Sequence, residues 1–157
     1  MYRKIMVAVD GSASSERALD EGLTAAKQFG SQVSVVYVID KASPFTYPDR
    51  YLNELLAESR HYGIAVLRRA EQAIGKAGVK GDTELVETES VGEDVAERLQ
   101  RYVQDNGIDL AVLGTHGRRG IRRMVIGSVA ERFLRGSSCP VLLAHEEEAQ
   151  PASTILL

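Results

Sequence analysis

Five short apolar runs alternate along this sequence with stretches whose apolar residues recur every three or four positions. The runs are Ile5 to Val9, Val33 to Ile39, Thr83 to Thr88, Asp109 to Leu113 and Pro140 to Ala144. Runs of this length, rich in β-branched residues and bounded by turn residues, read as buried strands, whereas the longer period reads as one-faced helices. Parallel strands need a crossover, usually a helix, to return the chain, so the alternation specifies a parallel sheet covered on both faces. The expected fold is one doubly wound α/β domain with five strands and four helices. A chain of 157 residues buries roughly 70% of the surface its unfolded form exposes, enough for a full core.

The local pattern supplies the boundaries. A helix is expected from Ser14 to Phe29, with Ala18, Leu19, Gly22, Leu23, Ala26 and Phe29 on its apolar face and Gly30 as the stop. Asp40 to Pro48 carries two prolines and no period, so it reads as a loop. A long helix follows from Arg50 to Ala77, its stripe running through Leu52, Leu55, Ser59, Tyr62, Val66, Ala70, Ala73 and Ala77, and Gly75 and Gly78 loosen its end. The glutamates of Thr83 to Thr88 mark an edge strand. Ser90-x-x-Glu93 has capping-box spacing and predicts a helix over residues 92–104. Gly114 to Ile126 is a loop rich in glycine and arginine, and a last helix spans residues 128–135. The domain is expected to cover residues 1–145, with the tail 146–157, which opens on an acidic triplet, unordered.

Composition excludes several classes of function. The single Cys139 can form no internal disulfide and has no cysteine partner for a metal site, so it reads as a small buried apolar residue before Pro140. A net charge of -3 argues against a broad nucleic-acid face. No apolar run approaches the roughly 20 residues of a membrane span, and the N-terminal apolar stretch is too short for a signal peptide. The expectation is a cytoplasmic protein with neither nucleic acid nor membrane as partner.

In open parallel sheets the ligand crevice lies beyond the carboxyl ends of the strands, where the strand order reverses. That directs attention to Asp10 to Ser12, Val38 to Asp40, and the segment from Gly114 onward. Gly114 and Gly117 follow a strand, where they can take positive φ or let a ligand's oxygens come close. Gly127 and Ser128 open a helix whose first N–H groups suit phosphate. No G-x4-G-K-[ST] and no G-x-G pair occurs, so a kinase or dehydrogenase loop is excluded. Asp10 and Ser12 also fit plain turn and N-cap roles. His116 is a candidate phosphate contact, although loop histidines are more often solvated. Of Arg118, Arg119, Arg122 and Arg123, one or two are expected near the phosphates and the others exposed. The carboxylate pairs Glu87/Glu89 and Glu93/Asp94 read as solvation and as complement to a helix dipole.

The spacing G-x2-G-x9-G-[S/T], carried by Gly114, Gly117, Gly127 and Ser128, resembles the ATP-binding branch of the universal stress protein family. The likeness extends to IMVAVDGS, VYVID, DLAVLGTHGRRG, GSVAERFL and SSCPVLLAH. It implies strand order 3-2-1-4-5 and a homodimer through the last strand, Val141 to Ala144. It places adenine and ribose against Ala8, Val9, Asp10 and Val38, and the phosphates over Gly114, Gly117, Arg118, Gly127, Ser128 and Val129. Asp10 would either bond the ribose or help hold a Mg or Mn ion bridging the phosphates of ATP, and the sequence leaves both roles open. The implied function is an ATP-binding stress-response protein, a nucleotide-dependent regulatory or sensor module. The alternative is a slow ATP hydrolase or phosphotransferase using the same cradle. Only Asp10, His116 and the loop arginines are available for that chemistry, so binding is the better reading.

Overall fold

The computed structural model describes residues 1–41, 49–89, 92–116 and 126–146. Among these the chain order is β1 (Lys4–Ala8), α1 (Ala13–Phe29), β2 (Gln32–Ile39), α2 (Asp49–Ala77), β3 (Gly81–Glu87), α3 (Val95–Asn106), β4 (Leu110–Gly114), α4 (Ser128–Gly136) and β5 (Val141–Ala144). The strands form one sheet in the order β3-β2-β1-β4-β5, and every pairing is parallel. Ile5 lies opposite both Val33 and Leu110, which fixes β1 at the centre.

Side chains alternate across each strand, so each face of the sheet carries its own apolar cluster. Ile5, Val7, Val33, Val35 and Val112 pack with Leu23 and Ala26 of α1 and with Val66, Ala70 and Ile74 of α2. Met6, Val36, Ala111 and Leu113 pack on the other face with Leu99 and Val103 of α3 and Phe133 of α4. The alternation of strand and helix read from the sequence is the fold observed, with the glutamate-rich β3 at one edge and β5 at the other.

Four local readings are corrected. The capping residue of α3 is Asp94, whose Oδ1 accepts the Glu97 N–H at 2.8 Å, so the helix starts at Val95, three residues later than the expected start at 92. Ser90 itself lies outside the described residues. In α2 the deepest residues are Gly63, Val66, Leu67, Ala70 and Ile74, whereas Leu55 and Tyr62, expected on the stripe, are exposed. A helix of 29 residues runs about 43 Å, longer than any strand here. Its first half therefore overhangs the sheet, and no residue from 51 to 62 is fully buried. Phe29 is also exposed and rests edge-on against Tyr2, with ring centroids 5.4 Å apart. Cys139 is half-buried rather than buried, beside Ser137 Oγ at 3.6 Å.

Candidate functional site

Strand order reverses on either side of β1, so the turns leaving β1 and β4 stand side by side at the carboxyl edge of the sheet. The first turn is closed by its own side chains. Asp10 Oδ1 accepts the Ser12 N–H at 2.8 Å, Gly11 takes φ +85°, and Ser12 caps α1 by accepting the Ser15 N–H at 3.2 Å. Ser15 Oγ in turn donates to Ser12 O at 3.0 Å and accepts the Asp10 N–H at 3.2 Å. The turn and capping roles proposed for Asp10 and Ser12 are thus real. They account for one oxygen of Asp10, which has interactions beyond this one.

The second turn is joined to the first. Ser12 Oγ and Ser14 Oγ both donate to His116 O, and the His116 N–H returns to Ser14 Oγ at 3.3 Å. Gly114 makes this junction fit: a Cβ there would lie 2.6 Å from Ser14 Oγ and 2.8 Å from both Ser14 C and Ser15 N. Gly114 is not among the glycines at positive φ. Its missing side chain makes room for the start of α1. Thr115 Oγ1 lies 3.1 Å from His116 Nδ1. Among the described residues, His116 Nε2 is the one buried side-chain nitrogen or oxygen without a hydrogen-bond partner.

α4 begins directly over this strand end, because Gly127 donates its N–H to Thr115 O at 2.5 Å. Its cap is Gly127, extended at φ -61° and ψ 157°, and among the described residues no side chain caps its first turn. Ser128 and Val129 are exposed. The first free N–H groups of α4 and the positive end of its dipole therefore open to the outside of the crevice.

Ala8 and Val38 share the face of the sheet that carries α3 and α4. Both remain half-buried, forming an apolar floor at the carboxyl ends of β1 and β2. Val9 points to the opposite face, into the core under α1 and α2, so only its backbone belongs to the crevice. A separate cleft of 210 Å³ lies on that opposite side, with Val9, Leu19, Val66 and Ala70 in its lining and Glu16 and Arg69 among its polar residues. It touches Gly11 but none of the candidate phosphate residues. Gly117 and Arg118 lie outside the described residues, as do Arg119, Arg122, Arg123 and the tail from residue 147.

The carboxylates read as solvating are engaged instead. Glu87 is bound by Lys41 Nζ at 2.6 Å and Arg60 Nη2 at 2.7 Å, and hydrogen bonds from Lys41 and then Arg60 hold its carboxyl below the usual range. Glu93 is lowered chiefly by its hydrogen bond from Arg101, whose Nη2 is 2.9 Å away. Asp94, besides capping α3, meets Arg132 of α4 at 2.5 Å. Sequence reasoning missed Ser14, Thr115 and Arg132. The serine run after Gly11 was the available sign of the first, while the others depend on contacts distant in sequence. Among the described residues, no group of three or more His, Cys, Asp or Glu side chains could hold a metal ion. No helix among them is long and apolar enough to cross a membrane.

The universal stress protein family model matches residues 1–145. The chain is 33% identical to universal stress protein MJ0531 of Methanocaldococcus jannaschii over 96% of this chain and 86% of that one. It is similar to the crystal structure of a universal stress protein family member from Burkholderia pseudomallei, at 39% identity and TM-score 0.71, over 90% of this chain and 95% of that one. It also shares its fold with the universal stress protein from Archaeoglobus fulgidus in complex with dAMP, at 24% identity and TM-score 0.67, over 91% and 98% of the two chains.

Proposed function

The chain belongs to the universal stress protein family, and from that premise we propose that it binds ATP at the carboxyl edge of its sheet and works as a nucleotide-dependent regulatory or sensor module in a stress response. The observation that carries the reading is the start of α4, a helix N-terminus with no capping side chain, fixed over the end of β4 and open to an anion. The dAMP held by the Archaeoglobus fulgidus protein supports an adenine nucleotide as the ligand class.

In this reading adenine and ribose lie against Ala8, Val38, the Val9 backbone and Asp10. The phosphates lie over Gly127, Ser128 and Val129, with Gly114 at the mouth and Gly117 and Arg118 of the loop completing the cradle. The residues fit such a ligand in a second respect, because His116 Nε2 is buried without a partner and a phosphate oxygen would supply one. A Mg or Mn ion would draw most of its ligands from phosphate and water, with the Asp10 carboxylate as the candidate protein ligand. A titration with ATP, AMP and adenosine, followed over hours, tests the proposal. Binding without turnover is expected. Turnover would favour the hydrolase reading, and no binding of any of the three would end the nucleotide reading. The protein is proposed to act in the cytoplasm, with neither nucleic acid nor membrane as its partner.

The same proposal includes a homodimer through β5. Pro140 O and Ala144 O accept from Ala111 and Thr115 of the β4 side, so by the period of two Leu142 also turns its peptide groups to β4, and Val141 and Leu143 turn theirs outward. An unpaired apolar edge invites a second copy. Leu142→Pro should then damage the fold, and Leu143→Pro should leave a folded monomer. Light scattering with circular dichroism distinguishes the two. A wild-type monomer at micromolar concentration would remove the dimer.

A further inference from the structure

Beyond the groups that would touch a nucleotide, we propose that Thr88, with Glu87 beside it, is a positioning residue that fixes the segment Val38 to Lys41 and thereby sets affinity for the nucleoside independently of the phosphates. The proposal rests on the nucleotide reading above and adds residues that reading does not use.

Thr88 follows the last residue of β3 and is 0% exposed, one of the few polar side chains buried in this fold. Its N–H donates to Ile39 O at 3.1 Å, and its Oγ1 accepts the Lys41 N–H at 2.8 Å. β2 and β3 both end here, so the hydroxyl continues past Ile39 the pairing that the strands no longer supply. The adjacent carboxylate makes the same connection from outside. Glu87 takes Lys41 Nζ at 2.6 Å on Oε2 and the Arg60 Nε and Nη2 at 2.9 and 2.7 Å on Oε1, while its backbone oxygen accepts from Arg98 Nε at 2.8 Å. The exit of β2, helix α2, the end of β3 and helix α3 thus converge on two consecutive residues. Val38, the half-buried apolar floor of the nucleoside end, lies three residues before the Lys41 N–H that Thr88 holds. Among the described residues, the hydrogen bonds and ion pairs of this junction come from β2, α2, β3 and α3 and not from α4, so loosening it should not disturb a phosphate at the α4 start.

Thr88→Val keeps the shape of the side chain and removes the acceptor. In the full-length protein, calorimetric titration should show adenosine and ATP weakened by the same factor, about 5- to 10-fold, the range expected for one buried hydrogen bond, and Thr88→Ser should recover wild-type affinity to within about twofold. A purely structural role would lower the melting temperature and leave both affinities alone. That result, or a loss confined to ATP, overturns the proposal. If Thr88→Val does not fold, Glu87→Gln carries the test: a loss of about two- to threefold for both ligands is expected, and unchanged affinities overturn the proposal. Wild-type protein that binds neither ligand would instead defeat the nucleotide reading itself, a separate and recognisable outcome.

Discussion

The turns after β1 and β4 occupy equivalent places at the switch point of the sheet, and each leads into a helix, yet they treat the free N–H groups of that helix in opposite ways. At α1 the cap is Ser12, which accepts from Ser15, and Ser15 answers with bonds to Ser12 O and Asp10 N. At α4 the cap is Gly127, and among the described residues no side chain caps the first turn. A helix start already satisfied by the protein has little to offer an anion, whereas one left open presents donors and a dipole together. The contrast assigns the two turns different work: the first is a scaffold, and the second is where a phosphate would bind. It also reassigns Gly114, which appears in the glycine pattern but belongs by contact to the scaffold.

The largest expected effect tests that reassignment. Gly114→Ala places a methyl group against the Ser14 and Ser15 backbone, atoms that cannot move away as the end of a flexible side chain would. Overpacking of this kind costs about 3 kcal/mol, visible as a large drop in melting temperature without nucleotide. A variant of unchanged melting temperature that has lost ATP would return Gly114 to the ligand and break the comparison.

Next in size is a change that gives α4 the kind of cap α1 already has. The extended conformation of Gly127 suits aspartate as an N-cap, so Gly127→Asp should hold or slightly raise stability. Its carboxylate would occupy the open N–H groups and repel phosphate. ATP should weaken by about 2 kcal/mol, roughly 30-fold, and adenosine by less than about twofold. Equal losses for the two ligands would show that the phosphates do not bind at this helix.

The converse substitution is smaller. Ser12→Ala removes the cap of α1 and should cost about 1 kcal/mol of stability, while the ratio of ATP to adenosine affinity stays as in the wild type. Thermal unfolding and the two titrations decide it. A change in that ratio would mean that the first turn reaches the phosphates after all.

These expectations also show where the sequence was legible. Strand positions, their parallel arrangement and the glycine at the α4 start could be read because each follows from local period or spacing, whereas the strand order rests on the family resemblance. The start of α3 was misread because Ser90-x-x-Glu93 and Asp94-x-x-Glu97 both satisfy the capping pattern, and only the bond from Glu97 N to Asp94 separates them. The stripe of α2 drifted because its period carries no information about where the sheet beneath it ends. The neighbour of Gly114 is hidden for a related reason: a missing Cβ shows that something comes close, and the approach of Ser14 is not visible in a sequence where it lies 100 positions away.

The smallest effect concerns how α4 is held in place without a cap. Arg132 reaches Asp94 at 2.5 Å and Glu97 at 3.7 Å, and Gln100 Nε2 donates to Arg132 O at 3.2 Å. The side of α4 away from the crevice is therefore tied to the first turns of α3, and Asp94 serves both helices at once. Arg132 is largely exposed, so its ion pairs contribute little to stability, under about 1 kcal/mol. Arg132→Gln should leave the melting temperature nearly unchanged. The orientation of an open helix start matters only to what binds there, so ATP should weaken by about two- to fourfold and adenosine not at all, with Arg132→Lys recovering part of the loss. The same small loss for both ligands would show that Arg132 supports the whole domain instead of aiming α4, and the two helix starts would then differ in their caps alone.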